Sequence, residues 1–130
     1  MKVTDKYVFF FTSNDIFSNW WRSAFTYRGF MFHTNEQYIM YRKAILFGDN
    51  LVASLILNVR GGNPKESKAL GRGVSGFNQG MWLEKRESIM KQGLWLKAKY
   101  CNRFRQELLM HYREGRKFVE ASPYDKIWGV

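Results

Sequence analysis

The sequence predicts a single α+β domain, compact and mainly helical, with a few short strands. Five stretches carry helical apolar spacing between recognisable caps and breakers, while aromatic-rich runs of strand length stand near the two ends. At 130 residues the chain is long enough for one core and too short for two, so residues 1–130 are read as one domain. Hydrophobic residues at 45% and aromatics at 18% exclude a disordered chain.

Lys6 to Phe11 reads as a short buried strand, bounded by a polar turn at Thr12-Ser13-Asn14-Asp15. A loop follows with Ser18-Asn19-Trp20-Trp21. Ala24 to Phe32 alternates apolar and polar residues and reads as a second strand or as a hairpin through Tyr27-Arg28-Gly29. The aromatics Phe9, Phe11, Phe25, Phe30 and Phe32 are assigned to the core.

From Thr34 or Asn35 as N-cap, the first helix runs without Pro or Gly to Gly48. A second covers Asp49 to Asn58, capped by Asp49 or Asn50. Gly61-Gly62-Asn63 is a break, and Pro64 opens a short helix that ends near Gly71. Gly71-Arg72-Gly73-Val74-Ser75-Gly76 spells a dinucleotide fingerprint, but a helix-like segment precedes it where a strand is required. It is read instead as a loop through which backbone approaches a ligand, leaving Arg72 free to hold a phosphate. A long helical pattern starts near Gln79, breaks near Gly93 and resumes to Tyr100. Another covers Arg103 to Tyr112. Lys117 to Glu120 is a strand, and the aromatic tail beyond it, ending in Trp128, folds back over the body.

The formal charge of +10 draws the protein towards polyanions. Ten Lys or Arg against four Glu lie between Glu84 and Lys117, read either as a solvated helical surface or as a track for phosphate or nucleic acid. A lone cysteine, Cys101, fits a reducing cytoplasm and is taken as a buried, inert thiol. With His33 and His111 it offers no metal-ligand spacing, and no metal site is expected. Tyr7 to Phe11 is too short for a signal-peptide core or a membrane span, so the chain is read as cytoplasmic with no membrane partner.

The first helix carries the candidate chemistry. At 3.6 residues per turn, Glu36, Met40 and Lys43 share one face. Most charged helical residues are merely solvated, but these stand among aromatic and apolar neighbours, which places the acid and amine at a cleft.

The chain resembles the NADAR family, whose characterised members are N-glycosidases. The resemblance rests on elements in family order: Ser18-Asn19-Trp20, Glu36-Gln37-Tyr38, Lys43-Ala44, Phe47-Gly48-Asp49, Lys68-Ala69-Leu70-Gly71-Arg72 and Gly76-Phe77. Trp82 with Arg86 and Met90, Lys99-Tyr100, Leu108-Leu109, Glu120-Ala121-Ser122 and Asp125 with Ile127-Trp128-Gly129 continue it. Trp20 stands where the family commonly has Phe, and His111 to Gly115 replaces its usual Thr-Gly turn; both bear on substrate fit. The resemblance implies a mainly helical α+β fold and cleavage of a ribose–base bond. The substrate is either a ribosylamino-pyrimidine phosphate of riboflavin synthesis or ADP-ribosylated guanine in nucleic acid. A non-catalytic module that binds ADP-ribose or nucleic acid is the alternative from another class.

Such cleavage needs a carboxylate at the sugar and a proton source at the base. Glu36 is assigned to the sugar. Lys43 either holds a ribose hydroxyl or phosphate or attacks the anomeric carbon as an amine, and the neighbouring carboxylate favours the first role unless burial lowers the lysine's pKa. Asp125 is assigned to proton transfer or water positioning. Trp82 and Trp128 are to sandwich the base or sugar, and Lys68 and Arg72 to hold phosphate. Ser18 and Asn19 donate to the substrate or cap their turn. Neither route needs a cofactor or metal.

Overall fold

The computed structural model describes residues 1–10 and 15–120. In chain order its elements are β1 (Lys2–Val3), β2 (Tyr7–Phe10), β3 (Phe25–Tyr27), β4 (Phe30–Phe32), α1 (Asn35–Leu46), α2 (Asn50–Leu57), α3 (Pro64–Arg72), α4 (Gln79–Tyr100), α5 (Asn102–Arg113) and β5 (Lys117–Glu120), with a short 3₁₀ turn at Arg60–Gly62. This is the mainly helical α+β architecture expected from the sequence.

Helix α1 is the axis of the molecule. The Thr34 hydroxyl accepts the Gln37 N–H at 3.1 Å and caps its first turn. Helices α2, α3 and α4 all pack on it. Its first turn is locked by buried polar groups. Gln37 accepts from the His33 N–H at 2.8 Å and donates to the Ile56 carbonyl at 3.0 Å, so neither amide atom is buried without a partner. Tyr38 is fully buried, with the rings of Phe25, Tyr27 and Phe32 edge-on around it.

The hairpin alternative holds for residues 24–32: β3 and β4 pair antiparallel through Arg28 and Gly29, both at positive φ, the two-residue turn that matches strand twist. Phe25 and Phe32 enter the core, but Phe30, beside the turn, is 45% exposed and packs against Tyr41 instead. Phe9 is half-buried, and Phe11 lies outside the described residues. The second sheet has order β1-β2-β5, with β2 antiparallel to β1 and parallel to β5. The two-residue β1 has too little pattern to be read from sequence.

Two expectations are corrected. Helix α4 runs unbroken through Gly93, because that glycine lets α4 lie directly on Asn35 and Tyr38, where a Cβ would overlap both side chains. Gly71 and Arg72 belong to the last turn of α3, not to a glycine-rich loop: Gly71 is buried against Met40, and a Cβ there would overlap its sulfur. The loop begins at Gly73. It is tied back by Asp49, which caps α2 through Val52 N–H and accepts both the N–H and hydroxyl of Ser75 at 2.9 and 3.0 Å. Those bonds hold the Asp49 carboxyl below its usual range.

Two apolar clusters form. The larger lies between α1, α2, α4 and the hairpin; the smaller gathers Val8, Ile16, Phe17 and Phe104 beside the three-stranded sheet. Cys101 is half-buried against the smaller one. Among the described residues, no helix is long and apolar enough to cross a membrane.

Candidate active site

A cleft of about 700 Å³ opens where α1, α3 and α4 meet the loop after Ile16. Glu36, Met40 and Lys43 line it together, as their shared helical face requires. Lys68 and Arg72 enter from α3, one turn apart on the same side. Trp82, Arg86 and Met90 enter from α4 at successive turns, with Leu83 and Glu87 beside them. Four cations thus face two carboxylates, Glu36 and Glu87, around the opening. That balance suits an anion at the rim and a developing positive charge beside the acids.

Glu36 is 9% exposed, and its backbone N–H donates to the Asn19 carbonyl at 2.9 Å. The Asn19 side chain accepts from Asn35 Nδ2 at 2.8 Å, so loop and helix are joined by both main chain and side chain. Asn19 and Trp20 line the cleft. Ser18 does not: it is buried, and its hydroxyl accepts the Trp20 N–H at 3.0 Å, the turn-capping alternative.

The Lys43 ammonium lies over two rings, 4.7 Å from the centre of Phe77 and 5.5 Å from that of Trp82. Burial holds its pKa below the ordinary lysine value, and Glu36 pulls it only part of the way back. The condition attached to the carboxylate argument, that burial lowers the lysine's pKa, is therefore met. Among the described residues, no group of three or more His, Cys, Asp or Glu is placed to hold a metal ion. Asp125 and Trp128 lie outside the described residues.

Trp20, Phe77, Arg86, Glu87 and Met90 were not singled out as site residues from sequence. The four-residue steps from Trp82 to Arg86 and Met90 were the available signal, since they put all three on one face. Phe77 has none of its own: it is 46% exposed in the loop before α4, and only the fold carries it over Lys43.

The NADAR domain model matches residues 8–130. Protein irg-1 of Caenorhabditis elegans is 32% identical over 143 residues, covering 98% of this chain and 66% of that protein. N-glycosidase R617 of Acanthamoeba polyphaga mimivirus is 37% identical over 139 residues, with 98% and 79% covered. The chain thus spans about two thirds to four fifths of the length of these relatives. Among solved structures, the E. coli protein YbiA superposes with a TM-score of 0.76 at 25% identity, covering 98% of this chain and 73% of that one.

Proposed function

The chain belongs to the NADAR family, and on that premise we propose that its cleft hydrolyses the N-glycosidic bond of a phosphorylated ribosyl substrate. The observation that carries the reading is that Glu36 and Lys43 line one cleft with Trp82 at hand. The name of the relative N-glycosidase R617 supports the reaction class.

As the C1′–N bond breaks, its electron pair leaves with the base and positive charge builds on the ribose ring. Glu36, shielded from bulk water, is the group that stabilises this charge. Water then adds to C1′ and gives up a proton while the base nitrogen gains one. Lys43 acts in one of two ways: as an ammonium it holds a ribose hydroxyl or phosphate, and as an amine it bonds to C1′ as the base leaves and gives up a proton. In the second case the C1′–O4′ bond then opens with a proton to O4′ to form a Schiff base, and water hydrolyses that to release the sugar and restore the amine. Its lowered pKa supports the second. Trp82 offers a face to the base or sugar. Lys68 and Arg72, with Arg86 nearby, take the phosphate. Asn19 orients the first turn of α1. Asp125 and Trp128 remain proposed as the second carboxylate and the second stacking ring.

The substrate we favour is a ribosylamino-pyrimidine phosphate intermediate of riboflavin synthesis. A second reading, removal of ADP-ribose from guanine in DNA or RNA, is favoured by the net charge of +10, which a small metabolite does not require. Both substrates are offered to the purified protein and free base is followed by mass spectrometry, with Glu36→Gln as control. Base release from the pyrimidine phosphate, lost in the variant, is the expected result. Cleavage of the oligonucleotide alone replaces it with the second reading, and release from neither substrate leaves a binding module. Borohydride trapping separates the roles of Lys43: a sugar adduct that vanishes in Lys43→Met marks the amine as nucleophile.

A further inference from the structure

Lys97 lies two turns beyond Met90 on the same face of α4, but it does not line the cleft and has no part in the chemistry above. Its side chain is completely enclosed, 0% exposed. The ammonium donates to the carbonyls of Ile16 at 2.5 Å and Ser18 at 3.0 Å and lies 4.4 Å from the centre of the Phe104 ring. A buried cation is costly, and an apolar side chain of similar length would fill the same space. What it would not supply is donors for two buried carbonyls.

Those carbonyls belong to the turn that feeds the cleft. Ser18 N–H donates to the Asp15 carbonyl at 2.9 Å, and Trp20 N–H to the Ser18 hydroxyl, so residues 15–20 form one hydrogen-bonded unit. Its last two residues, Asn19 and Trp20, line the cleft. Asn19 in turn accepts the Glu36 N–H and the Asn35 amide. Lys97 and the backbone of Glu36 are therefore bonded to adjacent carbonyls of one turn, those of Ser18 and Asn19, which the main chain joins directly.

We propose that Lys97 is a positioning residue of the cleft: it anchors the Ile16–Ser18 carbonyls so that Asn19 and Trp20 stand at the wall and the first turn of α1 presents Glu36 correctly. Burial lowers the Lys97 pKa to about 7, with Cys101 on the next turn opposing the shift, which agrees with enclosure by neutral dipoles. The catalytic consequence rests on the reading of the cleft as an N-glycosidase site; the structural linkage does not.

Lys97→Met in the full chain removes both donors and keeps the length. Near-ultraviolet circular dichroism checks that the variant is folded. Hydrogen exchange at the Glu36 amide is read by NMR relative to amides of the β3–β4 hairpin, and base release gives kcat and KM. The expected result is at least tenfold faster exchange at Glu36 and at least a tenfold loss of kcat, with KM within about threefold of wild type, a split that a general loss of folded protein does not produce. Unchanged exchange at Glu36, or faster exchange with unchanged kcat, overturns the proposal. If wild type releases no base from either substrate, the N-glycosidase reading fails, and exchange alone decides whether Lys97 holds the turn: faster supports it, unchanged overturns it. If the methionine variant does not fold, Lys97→Arg, which retains N–H donors, takes its place. Glu36 protection and kcat that are both kept, or both lost together, support the linkage, and one lost without the other overturns it.

Discussion

Lys43 and Lys97 are two helical lysines against aromatic rings, both held below the ordinary lysine pKa by burial. Their surroundings differ in one decisive respect. Lys43 stands at an open cleft with Glu36 beside it, whereas Lys97 is sealed and bonded to two main-chain carbonyls. Desolvation acts in the same direction on both; what each amine can reach sets its task. An amine facing a cleft can bind or attack a ligand, while one whose donors are spent on carbonyls can only hold backbone in place.

The comparison breaks hardest at Glu36. Glu36→Gln keeps the shape and removes the charge, and turnover is expected to fall by about 10²–10³ or more, as when a preorganised electrostatic group is lost. Unchanged turnover removes Glu36 from the mechanism and leaves Lys43 an ordinary half-buried lysine. Next in size is the packing that brings α4 over α1. Gly93→Ala forces a methyl into Asn35 and Tyr38 and is expected to cost about 1–3 kcal/mol or more in urea unfolding, as overpacked cores do. Asn35 also bonds Asn19, so the cleft should loosen with it. A variant as stable as wild type would show that the two helices have room to part.

Lys97 supplies a pH test with a definite sign. Burial sets its pKa at about 7 in the folded protein, against the ordinary lysine value of 10.5 in the unfolded chain, so between these the unfolded chain binds more protons and stability rises with pH. Below about 7 both states are protonated and the cost of the buried charge is felt in full. The difference in unfolding free energy between wild type and Lys97→Met should therefore shift towards wild type from about pH 7 upwards, by at most about 1.4 kcal/mol per pH unit. A flat difference across that window contradicts the burial of the cation. Thr34→Ala removes the cap of α1 and is expected to cost about 1 kcal/mol, measured as a lower urea midpoint at unchanged slope. The smallest effect sharpens the contrast directly: in lysine-labelled NMR, Glu36→Gln should lower the Lys43 pKa further, because the carboxylate that opposes burial is gone, and leave Lys97 where it was.

Caps, breakers and periodicity are local properties, and they were legible. Thr34, Asp49 and Pro64 open helices as read, and Glu36, Met40 and Lys43 share a face because helical geometry alone puts them there. Gly93 and Gly71 read as breaks in the sequence because a glycine has the same local signature whether it ends a helix or makes room for a neighbouring one. Phe30 reads as core because alternation puts it on the same strand face as Phe32, but alternation does not give depth, and in the fold Phe30 meets Tyr41 while staying 45% exposed.

The sequence by itself determined where the helices open and the acid–amine face of α1, since each follows from residues within one or two turns of one another. Only the tertiary structure decided that the rings of Phe77 and Trp82 lie against the Lys43 amine, that Ser18 caps its turn away from the cleft, and that Lys97, counted from sequence in a basic stretch, is the most deeply buried of the basic residues discussed. Charge and hydropathy are written in each residue, but exposure and pKa are set by atoms brought from elsewhere in the chain, and those appear only when the chain is folded.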